Sequence, residues 1–303
     1  AWGEKIIDLD DAYAEEVALR RDILAGDPTR LTELPHMRPA AWDALLTVLR
    51  TLTAEHPETM TLHRLPGEHG EEARLRWVNN RLGTHRTFRY GDDTTLPEGP
   101  LAFLGTQIQD DVVLLDERDG RLWADAGLVT FASNWSLAFV TGLPFLEVHR
   151  PVPRDLADGA IPRAERFLLR MAPGETCRRT NWTVTVGDDL DQSLEAAPVT
   201  GPHRARILDA GLDPGRDLHL RVEVQHLLRL AESAAILFLI RTCQLSFAEV
   251  AGVPEWRARL AAVLAELPED VAAYKGVAAY REPAVAWLRQ ARRTEIHVTR
   301  PSG

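Results

Sequence analysis

Cysteine is nearly missing from this chain: Cys177 and Cys243 are the only two among 303 residues. They stand in separate segments without CxxC spacing, which excludes a thiolate zinc site or an iron–sulfur cluster held by this chain alone. Nothing requires a disulfide, and a reducing compartment is expected. Long apolar runs are lacking too. In the second half the longest, Ala234 to Ile240, falls far short of the roughly 20 residues of a membrane helix. Ala1-Trp2-Gly3-Glu4-Lys5 has no apolar core of the signal-peptide kind, so a soluble cytoplasmic protein is the expectation. Basic charge is in deficit, 35 Lys+Arg against 45 Asp+Glu for a net −10. That balance argues against a nucleic-acid partner and weakly favours cationic ligands such as amines. There is no GxGxxG or GxxxxGK[ST] phosphate loop, no GxSxG elbow, and no HExxH pair among the ten histidines.

What is present is a chain long enough for one large or two modest domains, without internal repeats. The first hundred residues read as helices joined by polar loops. Asp10 to Ala25 is acidic early and carries Arg20-Arg21 late, and Pro39 to Ala54 spaces Trp42, Leu45, Leu46, Leu49 and Leu52 at helical intervals. Pro57 to Glu72 and Thr84 to Pro100 read as loops around a short element at Leu75–Asn79. The middle changes character. Ile108–Asp116 and Leu122–Phe131 read as strands joined by a hairpin turn at Glu117-Arg118-Asp119-Gly120. A short helix over Trp135–Val140 follows, capped by Ser133 or Asn134 and ended by Gly142. A longer helix spans about Ala160 to Met171, with Ile161, Phe167, Leu168 and Met171 available for burial. Strands at Arg178–Val186, Leu218–Gln225 and Ala234–Thr242 come next. Pro254 to Ala291 reads as helical, with Trp256, Leu260, Val263 and Leu264 on one stripe. Two strands, helices, then three strands is the order of a PAS domain, an α+β fold with a five-stranded antiparallel sheet whose helices enclose a pocket.

Two features carry candidate chemistry. Glu147-Val148-His149-Arg150-Pro151-Val152-Pro153 places His149 on backbone stiffened by two prolines, at the entry to the longer helix, which suits a metal or heme-iron ligand as well as a structural histidine. Period-two alternation gives Arg179, Asn181, Thr183 and Thr185 one face of their strand, opposite Trp182, Val184 and Val186. It gives His219, Arg221, Glu223 and Gln225 one face of the next. Two readings stay open: polar rows turned to water, or rows lining a pocket for a small polar ligand, with Glu223 able to hold an ammonium or relay protons. Arg241, ending an apolar strand, suits a heme propionate or a nearby acid.

Several segments taken together resemble one known family. Trp2 with Leu9-Asp10-Asp11-Ala12-Tyr13, Gln109-Asp110-Asp111-Val112 and Phe131-Ala132-Ser133-Asn134-Trp135 come first. His149-Arg150-Pro151-Val152-Pro153, Arg179-Thr180-Asn181-Trp182 and Leu220-Arg221-Val222-Glu223-Val224-Gln225 follow, then Ile240-Arg241-Thr242 and Tyr274-Lys275-Gly276. The chain is similar to the heme-binding alpha subunit of heme-dependent oxidative N-demethylase, the dimethylamine-oxidising type. The resemblance implies a PAS-like core at 101–250 that binds heme b, with helical extensions at 1–100 and 251–303. It implies a monooxygenase or oxidase that activates O2 beside a small amine. Electrons would come from NADPH through partner reductase subunits carrying flavin and an iron–sulfur cluster, and tetrahydrofolate would take up the formaldehyde released. It assigns His149 as the iron ligand, with His226 and His219 as competitors. Arg179, Asn181, Arg221 and Glu223 become the polar pocket for O2 and substrate, and Trp182 and Arg241 are placed beside the cofactor. The chain departs from the family pattern at Val224, Ala231 and Ala132, as a divergent member does. The competing reading is a heme PAS sensor without turnover, though no output domain or coiled-coil linker is seen.

Overall fold

The computed structural model describes residues 5–67 and 73–290; Trp2, the stretch 68–72 and the end of the C-terminal helix expected to reach Ala291 lie outside them. Ten strands are β1 (Leu31–Glu33), β2 (Met60–Leu65), β3 (Arg74–Asn79), β4 (Thr84–Phe88), β5 (Asp111–Arg118), β6 (Arg121–Leu128), β7 (Leu143–Pro144), β8 (Thr176–Val186), β9 (Leu218–Arg229) and β10 (Ile236–Ser246). The α-helices among the described residues are α1 (Tyr13–Gly26), α2 (Arg38–Glu55), α3 (Pro100–Gly105), α4 (Leu137–Val140), α5 (Phe145–Val148), α6 (Arg154–Leu168), α7 (Ala197–Asp209), α8 (Pro214–Asp217), α9 (Phe247–Ala251), α10 (Pro254–Glu266), α11 (Glu269–Tyr274) and α12 (Arg281–Gln290).

The main sheet is antiparallel, ordered β1-β6-β5-β10-β9-β8, with β7 added on β6. Its spine is the five strands expected from alternation. The apolar run beginning at Ala234 becomes β10, paired on both sides, which explains why both its faces are hydrophobic. The β5–β6 turn is a two-residue loop. Asp119 at φ 53° and Gly120 at φ 69° both adopt the left-handed conformation that matches strand twist in such hairpins.

Three apolar clusters hold the sheet. On the outer face, Val112, Leu114, Leu237 and Leu239 pack with Tyr13, Leu45 and Leu49 of α1 and α2. Further along that face, Val184, Val186 and Leu218 pack against Phe247, Leu264 and Leu288 of the C-terminal helices. On the inner face, Val113, Leu115, Leu227 and Ile236 meet Leu137, Phe145 and Leu168 of α4–α6.

Several expectations need correction. Met60–Leu65 and Thr84–Phe88 are not loops around one element but strands that pair with Arg74–Asn79 in a three-stranded sheet, β2-β3-β4. Met60, Trp77 and Phe88 anchor it in the outer core, while its edge strands are too polar to show alternation. The helix of α6 begins at Arg154, directly after Pro153, and Phe167 is exposed. The cap of α4 is Ser136, whose hydroxyl accepts from Phe139 N, rather than Ser133 or Asn134. Arg20 does not serve the end of α1, because the helix runs on to Gly26 and Arg20 is buried. On α10 only Leu260 and Leu264 turn inward; Trp256 and Val263 are exposed. Among the described residues no helix is long and apolar enough to cross a membrane.

Candidate functional site

Strand register brings the two polar rows together. Arg179 pairs with Gln225, Asn181 with Glu223, Thr183 with Arg221 and Thr185 with His219, so all eight project from the inner face. The same register aligns Cys177 with Leu227, and Leu227 with Phe238 and in turn Val113. The inner face is therefore apolar at one end and polar at the other, changing at the row Ile240–Gln225–Arg179. Alternate residues along a strand are about 7 Å apart. Cys177 to Asn181 thus spans roughly 14 Å across the change.

His149 lies between α5 and α6, over this face. Its Nδ1 lies 2.8 Å from Phe145 O and donates there, and its ring stacks at 4.2 Å on the Phe145 ring. Donation from Nδ1 fixes the tautomer and leaves the Nε2 lone pair unused, the arrangement that second-shell bonds impose on metal-ligating histidines. Burial, with a smaller contribution from the Arg179 charge, pushes its pKa below the ordinary histidine value, so the ring is neutral at pH 7. Leu146, Val148, Ile161, Cys177 and Phe238, packed against the apolar cluster that contains Phe145, are only part-buried.

At the polar end Glu223 is the hub. Its Oε2 accepts from Gln225 Nε2 at 2.9 Å and from Asn181 Nδ2 at 3.4 Å, and its Oε1 lies 3.9 Å from Arg221 Nε. Arg221 is fully buried. It donates to Leu190 O at 2.9 Å, to Thr242 Oγ1 at 3.1 Å and to Phe131 O, fastening two loops to the sheet. Its Nε and the Oε1 of Gln225 are buried without a partner. Arg179 stands exposed at the rim.

Other expected residues fall elsewhere. Arg241 pairs with Val224 and so projects from the outer face, where Glu16, at 2.8 Å, and Asp10 neutralise it. Trp182 shares that outer side; the Lys275 ammonium lies 4.7 Å over its ring and donates to Trp182 O. Neither reaches the inner face that carries the two polar rows. His226 is also an outer-face residue. His219 is on the inner face, but eight residues along β9 from Leu227, about 27 Å from the apolar row.

Sequence reasoning missed the support beneath the polar row. Arg20, fully buried on α1, donates to the carbonyls of Gly105, Ile108, Gln109 and Asp110, to Thr130 Oγ1, and to Asp111 Oδ1 at 3.0 Å. Asp111 in turn accepts from Thr130 N and Phe131 N, both at 2.9 Å. Residue 131 is held by its N–H from Asp111 and by its carbonyl from Arg221. The adjacent Asp-Asp pair in Gln109-Asp110-Asp111-Val112 was the available signal.

The fold and this face define an α+β protein whose sheet is covered by helices on both sides. More particularly, the chain belongs to the family described as "Haem-dependent oxidative N-demethylase, alpha subunit-like", whose family model matches residues 1–285. The description ties the family to heme, to an oxidoreductase reaction and to an enzyme of more than one kind of subunit.

Proposed function

We propose that this chain binds heme b between the inner face and helices α4–α6, with His149 Nε2 as the iron ligand, and oxidises a small N-methylated amine at the Glu223 row. The observation that carries the reading is the inner face itself. A histidine whose Nδ1 is engaged by Phe145 O stands near Arg179 of the boundary row, on Phe145 of an apolar cluster whose flanking side chains are left part-buried. The strand order, with the five central strands running second-first-fifth-fourth-third, supports a PAS-like fold for residues 101–250.

Bound there, the iron supplies the oxygen-activating redox chemistry. The chain's own residues do the rest. Leu227, Phe238 and Val113 exclude water from the apolar end. Glu223 Oε1 accepts the substrate ammonium N–H, with Gln225 and Asn181 holding the other oxygen and the guanidinium charge of Arg221 balancing the carboxylate. The orphaned Gln225 Oε1 and Arg221 Nε supply an acceptor and a donor for bound oxygen or water. Arg179 screens the rim. The net reaction removes one methyl group as formaldehyde and leaves the demethylated amine, consuming one O2, two electrons and two protons, with one oxygen atom leaving in formaldehyde and the other in water. Those electrons come from NADPH through partner reductase subunits bearing flavin and iron–sulfur groups, with tetrahydrofolate as acceptor of the one-carbon unit.

The test is spectroscopic. Purified chain loaded with hemin is expected to show a ligated Soret band that His149→Ala loses and His226→Ala keeps, and methylated amines are expected to perturb it. The reverse dependence on the two histidines sinks the ligand assignment. A heme spectrum indifferent to amines favours the sensor reading instead.

A further inference from the structure

On the other side of the β5–β6 hairpin, away from His149, three lone-pair donors converge without relation to the proposed heme pocket. His36 comes from the 3-10 turn Pro35–Met37, Asp116 from β5 and Asp125 from β6. One atom from each, His36 Nε2 and an oxygen of Asp116 and of Asp125, lies within 4.8 Å of the other two. Asp125 owes its aim to a β-bulge. Leu114 pairs with Ala126 and Leu115 with Ala124, so Asp125 is the extra residue, turned out of the ladder. It is 0% exposed, and its Oδ1 has no hydrogen-bond partner.

A single nitrogen fills the point of convergence. Arg118 Nη1 lies 3.0 Å from His36 Nε2, 2.9 Å from Asp116 Oδ2, and in contact with Asp125 Oδ2. That arrangement cannot be fully satisfied. Nη1 has two hydrogens for three acceptors. His36 Nε2 also lies 2.9 Å from Asp125 Oδ2, and one nitrogen cannot donate to the carboxylate while accepting from the guanidinium. Two carboxylates against one guanidinium also leave a net negative charge beside a carboxylate removed from water.

We propose that His36, Asp116 and Asp125 form a divalent first-row transition-metal site, and that Arg118 is the resident cation a metal displaces. One ion turns all three lone pairs into bonds, neutralises both carboxylates and gives Asp125 Oδ1 a partner. A mixed nitrogen and carboxylate set suits Zn²⁺ and its neighbours in the series. The displacement is open to Arg118: its side chain is part-exposed and rests on the face of Trp123, 4.7 Å from the ring centroid, at the solvent end of the hairpin.

The experiment is calorimetric titration of Zn²⁺ into the purified full chain, its Arg118→Gln variant and its His36→Ala variant, with Soret absorbance followed in parallel. His36 is 45% exposed, so its loss leaves the core intact, and thermal unfolding without zinc checks this. Expected are one equivalent bound by the wild type, at least tenfold tighter binding by Arg118→Gln, loss of that equivalent in His36→Ala, and an unchanged Soret band throughout. Wild type and His36→Ala titrating alike, whether both bind or neither does, overturns the site. Arg118→Gln binding no tighter than wild type overturns the displacement.

Discussion

Replacing Asp111 by asparagine removes one charge and almost no volume, yet it strikes the point on which the polar row depends. Asp111 is 1% exposed, and its two oxygens divide their work. Oδ1 takes Arg20 and Thr130 N; Oδ2 takes Phe131 N. An asparagine has only one oxygen. Whichever way its amide turns, the NH2 group faces a donor, either Phe131 N–H or the Arg20 and Thr130 N–H groups. Arg20 keeps its four carbonyl acceptors but loses the carboxylate that compensates its buried charge. Breaking a buried pair by removing one partner costs about 3–5 kcal/mol. The retained carbonyls and the nearby Asp110 place the loss toward the lower figure. For a chain of this size, at about 2 °C per kcal/mol, the melting temperature should fall by roughly 6 °C. Thermal unfolding followed by circular dichroism reads it, with Asp22→Asn on the exposed face of α1 as the control. A fall of less than about 2 °C, equivalent to some 1 kcal/mol, would falsify the claim that Asp111 is the obligate partner of Arg20.

Two further predictions follow from neighbouring carboxyls. Burial pushes Asp110 from the ordinary 3.8 up to about 7, against the opposing charges of Arg241 and Arg20, and neither of its oxygens is hydrogen-bonded. A raised folded-state pKa means the stability it lends is full below pH 3.8 and is lost as pH rises toward 7. At about 1.4 kcal/mol per pH unit the total is at most about 4 kcal/mol. Asp110→Asn should therefore flatten the decline of melting temperature between about pH 4 and 7 and leave the variant the more stable above pH 7; parallel curves refute this. Glu223→Gln should weaken methylated-amine binding by about 10- to 100-fold, the worth of a charge-assisted hydrogen bond. This is read from the amine-induced Soret difference spectrum of the heme-loaded chain, and an unchanged affinity removes Glu223 from the substrate site.

The main sheet was legible because β8 and β9 alternate, β5 and β10 open with short unbroken apolar runs, and its hairpin carries Asp119-Gly120, residues that tolerate the left-handed turn. The β2-β3-β4 sheet was not. Thr84–Phe88 offers one apolar residue, and Met60–Leu65 is interrupted by His63 and Arg64, so nothing separates these strands from polar loops until Trp77 and Phe88 are seen in the core. The polar rows on β8 and β9 could each be read singly, and pairing placed them side by side. Arg241 and Trp182 lie away from these rows for a related reason. Parity within a strand is readable from sequence, but which parity turns inward depends on register with a neighbour. Val224 opposite Arg241, and Val222 opposite Trp182, settled both against the inner face.

The adjacent acids Asp110 and Asp111 mark the deeper limit. They sit side by side in sequence and project to opposite sides of the chain as it enters β5. One receives Arg20 and two backbone N–H groups; the other receives no hydrogen bond at all. No local rule tells them apart, because the donors come from α1, nearly a hundred residues upstream, and from the turn after β6. The same connection ties the N-terminal hundred residues to the main sheet. Tyr13 on α1 donates to Gln107 O at 2.6 Å, Arg20 holds the carbonyl of Gly105 and the three consecutive carbonyls of Ile108, Gln109 and Asp110, and Asp111 and Arg221 grip opposite ends of Phe131. α1 is thereby joined through Asp111 and Phe131 to Arg221, whose Nε lies 3.9 Å from Glu223 Oε1. The support of the polar row thus includes buried hydrogen bonds that begin on α1, outside the strands that carry the row.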